Sequence, residues 1–131
     1  MRQTFTMTVP LALTIGSNRR AETWKRQKVK DAMRALTRTH GARLYPCGAA
    51  TIHVGVTKRT GGRYDPTNLT DTMKGSIDEL VTMGILEDDD YRHVSGPWLY
   101  HAGIDRSLPV KHLRFTVWLT DYQAVPTAVA S

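Results

Sequence analysis

Three segments of the chain alternate strictly between apolar and polar residues. Phe5, Met7 and Val9 are interleaved with threonines and stop at Pro10. Ile52, Val54 and Val56 alternate with Thr51, His53, Gly55 and Thr57. Leu113, Phe115, Val117 and Leu119 alternate with Arg114, Thr116, Trp118 and Thr120. A period of two residues puts every apolar side chain of such a segment on one face, so each reads as a strand with one face buried. Strands that bury one face need a layer to cover it, and two helical segments are available. The first runs from about Arg20 to Thr39, with Ser17 or Asn18 as cap, Trp24, Val29, Ala32, Met33 and Leu36 as its apolar stripe, and Gly41 as its stop. The second spans roughly 66–83, carries Met73, Ile77, Leu80 and Val81 at helical spacing, and ends at Gly84. Tyr91 to Leu99 reads as a further strand, and Gly96-Pro97 inside it marks an edge or bulged position. The order β-α-β-α-β-β predicts an α+β domain, two helices packed on a small mixed β-sheet. It occupies residues 1–122, with residues 123–131 as a frayed C-terminal tail.

At 131 residues and 40% hydrophobic composition, the chain suits one domain with a modest core. No apolar run approaches the length of a membrane span, and no signal-peptide layout opens the chain, so a cytoplasmic location without membrane contact is expected. Cys47 is the lone cysteine, and none of the five histidines pairs with it at zinc-site spacing.

Charge is divided along the chain. Residues 1–63 hold 13 Lys/Arg against two acids, whereas residues 64–131 hold five against ten. A basic half beside an acidic half is the pattern of a phosphate-gripping surface around a metal site; solvated surface charge is the bland alternative. The acids concentrate at Asp65, before the second helix, and at Glu87, Asp88, Asp89 and Asp90, after it. Phosphodiester hydrolysis needs an activated water and a neutralised oxyanion, which one or two Mg ions held by carboxylates supply, with a lysine adding positive charge. An unbroken 18-residue α-helix would hold the two acidic clusters ~27 Å apart at 1.5 Å per residue. Convergence therefore requires a shorter helix, starting near Thr70, or a cluster that reaches back along a strand.

Each motif also has a structural reading. Asp65-Pro66 suits an N-cap with proline at N1, Asp88-Asp89-Asp90 a polar turn, Asn68 a turn stabiliser, and Lys74 with Asp78 an exposed i, i+4 pair. Trp98 and Trp118 suit edge-strand or core packing better than base stacking.

Taken together, residues 63–94 resemble the RusA family of endonucleases, the Holliday junction resolvases of bacteria and their phages. Arg63, Asp65, Asn68 and Leu69 match its Asp-x-Asp-Asn-Leu approach. Lys74 and Asp78 match its helix, and Gly84 with Asp88-Asp89 matches its Gly-x-x-x-Asp-Asp end. Val9-Pro10 and Ser17-Asn18-Arg19 loosely resemble the family's first strand and helix start. The resemblance implies a homodimer that binds branched DNA and resolves four-way junctions by paired, Mg-dependent cuts, with Mn as a substitute metal. It implies Asp65, Asp88 and Asp89 as metal ligands and Lys74 as an electrostatic helper at the scissile phosphate. Arg19, Arg20, Lys25 and Arg26 of the basic helix, and Lys58, Arg59 and Arg63 of the loop, would hold the DNA arms. Two departures stand out: Thr67 occupies the position of the family's second aspartate, and three extra residues separate Asn68 from Lys74. Asp71 or Asp90 is available to replace the missing charge. The alternative on the same fold is a junction-binding protein whose catalysis is weakened or lost. A basic regulatory DNA-binding protein is a third reading, weakened because the first helix leads into a strand rather than a tight turn and second helix.

Overall fold

The computed structural model describes residues 1–16 and 21–124. Its elements are β1 (Arg2–Pro10), a short 3-10 turn (Leu11–Leu13), α1 (Thr23–His40), β2 (Ala50–Lys58), a 3-10 stretch (Pro66–Met73), α2 (Lys74–Thr82), β3 (Val94–Ile104) and β4 (His112–Thr120). The strands form one sheet in the order β1-β4-β2-β3, with β4 antiparallel to β1 and β2, and β3 parallel to β2. A parallel pair cannot be joined by a tight turn. The 3-10 stretch and α2 provide the crossover. The α+β class and the element order are those the alternation predicts.

The alternating residues sort as their period requires. Phe5, Met7 and Val9 of β1, Ile52, Val54 and Val56 of β2, and Leu113, Phe115, Val117 and Leu119 of β4 are all buried. Register aligns them into rows such as Phe5, Val117 and Val54. Val29 and Met33 of α1 and Met73, Ile77 and Leu80 of the crossover close the core over this face. Trp24 is not part of the stripe: at 63% exposed it lies at the first turn of α1, and its indole N–H donates to Glu22.

The two helices pack closely. A Cβ on Gly75 would overlap the carbonyl oxygen of Lys30 and lie 3.1 Å from that residue's Cα and carbonyl carbon. Across the same contact Lys30 pairs with Asp78 at 2.9 Å, while Arg34 (3.2 Å) and Arg38 (2.5 Å) share the buried Glu79. Arg26 reaches Asp71 at 3.7 Å. Arg26, Lys30, Arg34 and Arg38 recur every fourth residue, so they form one row along α1 facing the crossover acids. Thr37 and Ser76, both buried, add a hydroxyl hydrogen bond of 2.8 Å.

Several boundaries differ from the sequence expectation. The segment 66–83 is divided at Met73 into 3-10 and α portions. Its first part is rich in threonines whose hydroxyls bind backbone: Thr70 Oγ1 donates to the Thr67 carbonyl, and Thr72 Oγ1 both accepts from Ile15 N and donates to Ile15 O. Such bonds compete with regular α geometry. α1 begins at Thr23 with Glu22 as an N-cap whose side chain caps no helix N–H, and Ser17 and Asn18 lie outside the described residues. Gly41 ends α1 without a left-handed φ; its Cβ would meet the Thr37 carbonyl at 2.7 Å, so close backbone contact is what favours glycine there. Gly84, by contrast, has φ +77 and is the expected left-handed stop. β3 starts three residues later than predicted and runs to Ile104, but it is the sheet's edge strand and its register shifts across Gly96-Pro97. Gln123 is tied to β2, its N–H donating to Thr51 Oγ1 at 2.8 Å, and residues 125–131 lie outside the described residues.

Gly75→Val forces the helices apart, so urea unfolding is expected to show a loss of about 1–3 kcal/mol, typical of overpacking a tight contact; an unchanged midpoint overturns this account of the interface.

Candidate functional site

The crossover and the turn after it surround a recess of about 320 Å³ lined by Lys30, Thr70, Lys74, Ile77, Asp78, Asp89, Val94, Gly96 and Pro97. α2 contributes Lys74 and Asp78 one turn apart, α1 contributes Lys30, and the acidic turn contributes Asp89. The interrupted start of β3 forms the far wall. Lys74 and Asp78 do not pair as an i, i+4 contact; Asp78 bonds Lys30 instead. Lys74 is exposed and faces the recess without a carboxylate partner among the described residues.

Asp88 and Asp89 act on each other. Asp88 Oδ1 accepts the Asp89 N–H at 2.7 Å. The Asp89 carboxyl is raised above its ordinary pKa, first by a hydrogen bond with the Asp88 side chain, then by partial desolvation and by the charges of Asp88 and Asp78. A carboxyl whose affinity for a proton is raised by a neighbouring carboxylate is also well placed for a cation. Mg commonly uses only one or two protein carboxylates and keeps several waters. Asp89, with Asp88 beside it and Asp78 across the recess, fits that requirement.

Asp90 has another function. Its carboxylate accepts from Arg92 N at 3.0 Å, from the Arg92 guanidinium at 2.7 and 3.2 Å, and bonds His93 Nδ1 at 2.7 Å. The Arg92 and His93 bonds hold it down at about 2. It closes the turn that starts β3 and is not aimed into the recess, so it does not replace the charge missing at Thr67.

Asp65 lines a different recess, with Lys58, Tyr64, Asn68 and Leu69 among its walls. Its Oδ1 accepts the Thr67 N–H at 3.0 Å and the Thr67 hydroxyl at 2.7 Å, a side-chain cap on the 3-10 stretch. The eight residues Pro66–Met73 separate it from α2. Asp71 lines a third recess with Arg26, Lys30 and Lys74 and pairs with Arg26. The structure thus brings Lys74, Asp78 and Asp89 together with Asp88 beside them, and leaves Asp65 and Asn68 in another recess, with Thr67 bonded to Asp65. Among the described residues no three Asp, Glu, His or Cys side chains form a ready-made ligand group.

The basic residues expected to hold DNA are largely engaged within the chain. Lys25 donates to the Ala12 carbonyl, Arg26 pairs with Asp71, the Lys58 ammonium lies 4.6 Å from the Tyr64 ring centroid, and Arg59 Nε donates to the Leu108 carbonyl at 3.0 Å. Arg63 is exposed at the rim of a hollow formed by Thr60–Tyr64, Pro66, His101 and Ile104. Arg19 and Arg20 lie outside the described residues. Sequence reading missed Lys30 as a site residue. The signal for it was present, because the four-residue spacing of the α1 cations complements the acids at 71, 78 and 79.

No helix of the described residues is long and apolar enough to cross a membrane. The chain matches no protein-family model and no curated protein.

Two titrations check this geometry by carboxyl NMR. Asp88→Asn removes the charge that raises Asp89, so the Asp89 midpoint is expected to fall, and Mg is expected to lower it in the intact protein; a midpoint indifferent to both overturns the recess as a cation site. Asp90 is depressed in the folded chain, so its stabilising contribution is complete above the unfolded carboxylate pKa of about 3.9 and is lost as pH falls through about 2. Asp90→Asn is expected to abolish that acid-dependent component of stability.

Proposed function

We propose that this chain is a Mg-dependent endonuclease acting on branched DNA, with paired cuts made by a homodimer in a bacterial or phage-infected cytoplasm. The observation that carries the reading is the recess itself, where Lys74, without a carboxylate partner among the described residues, faces Asp89, a carboxyl raised above its ordinary pKa by the Asp88 side chain beside it. Bound there, Mg would activate a water and neutralise the developing oxyanion. The chain's own residues do the rest. Lys74 binds a non-bridging oxygen of the scissile phosphate and fixes it beside Asp89. Lys30 holds the Asp78 carboxylate in place at 2.9 Å. Asp90, by closing the turn with Arg92 and His93, sets the direction in which Asp88 and Asp89 project. Asp65 in this reading shapes the approach to α2 by capping the 3-10 stretch, with Asn68 beside it, and is not itself a ligand.

A second reading, a junction-binding protein without cleavage, is favoured by one specific observation. The Thr67 hydroxyl is bonded to Asp65, in a recess apart from Asp89. The two readings part in a single assay. Purified protein is incubated with a synthetic four-way junction and a matched linear duplex, in Mg, in Mn and in EDTA. The endonuclease reading expects junction cutting that needs metal, reduced about 100-fold or more by Asp89→Asn or Lys74→Ala. It also expects Thr67→Asp to keep cleavage, because Thr67 bonds Asp65 apart from the Asp89 recess. Tight junction binding without cutting in either metal selects the second reading, and equal affinity for duplex and junction rejects both.

A further inference from the structure

The sheet face turned away from the helices carries no helix of the described chain; the segment at Gln123 covers it at Thr51, which is buried, while the β1 threonines, Trp98 and Tyr100 stay exposed. Register places Thr4, Trp118, His53 and Trp98 in one row across all four strands. The neighbouring rows are Thr6, Thr116, Gly55 and Tyr100, and Arg2, Thr120, Thr51 and Ser95. Trp98 and Tyr100, two residues apart on β3, are each 45% exposed. A Cβ on Gly55 would lie 3.0 Å from the Tyr100 hydroxyl and 3.1 Å from its Cζ. The glycine therefore leaves the space into which the Tyr100 side chain lies down across β2. The Arg2 guanidinium sits 4.5 Å from the Trp118 ring centroid, so a cation of the neighbouring row stacks on an aromatic of the central one.

No residue of these rows is acidic. At the margins Asp105 pairs with Arg114 at 2.8 Å and Asp121 with the N-terminal amine at 3.1 Å. At the β1 edge a hollow lined by Arg2, Gln3, Thr4, His40, Arg43, Leu44 and Tyr45 adds Arg43 and His40, again without a carboxylate. Two sheets that stack face to face bury interdigitated apolar side chains. Here the β1 strand of the face is Thr4, Thr6 and Thr8, all exposed, with the exposed Arg2 beside them. A polyanion with flat apolar bases is complementary to both features.

We infer that this face binds an unpaired nucleic-acid strand, with bases stacked on Trp98 and Tyr100 and its phosphates toward Arg2 and Arg43. Stacking on exposed rings requires unpaired bases, so a duplex is excluded from this mode. The site is separate from the cation recess and needs no metal.

The test is tryptophan fluorescence in EDTA, in a Trp24→Phe background, titrated with a 15-residue oligothymidylate and with a duplex of equal length. Quenching by the oligothymidylate is expected, with affinity about tenfold or more above that for the duplex. Trp98→Leu and Tyr100→Leu, their folds checked by circular dichroism, are each expected to weaken binding about tenfold. Lys28→Ala, on the exposed side of α1, is expected to leave it unchanged. Absence of quenching in the intact protein, equal affinity for duplex, or a dimer in sedimentation that shields Trp98 from acrylamide would each overturn the inference. Because EDTA is present throughout, failure here leaves the metal-dependent reading to its own assay.

Discussion

The contact between Gly75 and the Lys30 carbonyl sets the distance between the two helices, and the rest of the molecule's electrostatics follows from that distance. With no side chain at Gly75, α2 lies close enough to α1 for the row of cations at 26, 30, 34 and 38 to reach the crossover acids. Glu79, at 5% side-chain exposure, is tolerable there only because two guanidinium groups share it; an unpaired carboxylate in that position would lose several kcal/mol of hydration. Once Lys30 is committed to Asp78, Lys74 faces the recess without a carboxylate partner among the described residues, opposite Asp89 with Asp88 beside it. The local imbalance that makes the recess chemically interesting is thus a by-product of how the helices are held together.

The same pairing changes the meaning of the charge division. Summed along the sequence, a basic half and an acidic half suggest a surface built to grip phosphate. In the fold, much of the opposition is satisfied internally, between α1 and the crossover. Net charge records how many groups there are, and it has no term for which of them meet. The spacing of the cations at every fourth residue did contain that information, because a single row on a helix has to face one neighbour.

The strands were legible because a period of two has one physical outcome when one face is buried, and Val9, Val56 and Phe115 are all buried as that outcome demands. The division of residues 66–83 was harder to read. Met73, Ile77 and Leu80 obey helical spacing within and next to α2, while Thr67, Thr70 and Thr72 act through individual hydroxyl bonds to Asp65, the Thr67 carbonyl and Ile15. Two of those partners are local, but Ile15 lies 57 residues away, and no local pattern reveals it. The placement of Asp65 follows from this. A 3-10 stretch rises ~2.0 Å per residue against 1.5 Å for an α-helix. Lys74, Asp88 and Asp89 were legible together from motif order, whereas the entry of Asp78 into the recess and the separation of Asp65 from it depended on the geometry of the intervening turn.

β3 joins the two faces of the molecule. Gly96 and Pro97 line the cation recess on the helix side, and Trp98, the next residue, lies in the central row of the open face. As an edge strand it has a partner on one side only, so a nucleic-acid strand can pass around its free edge from one face to the other. A duplex is too wide and too stiff to follow that path, and its bases are not available to the rings. A strand freed from pairing is neither. The proposed cation site and the proposed base platform therefore make the same demand on a substrate: pairing must already be interrupted next to the phosphate held by Lys74. Selectivity for branched over linear DNA would then arise from the thickness of a single β-strand, and requires no base-specific contact.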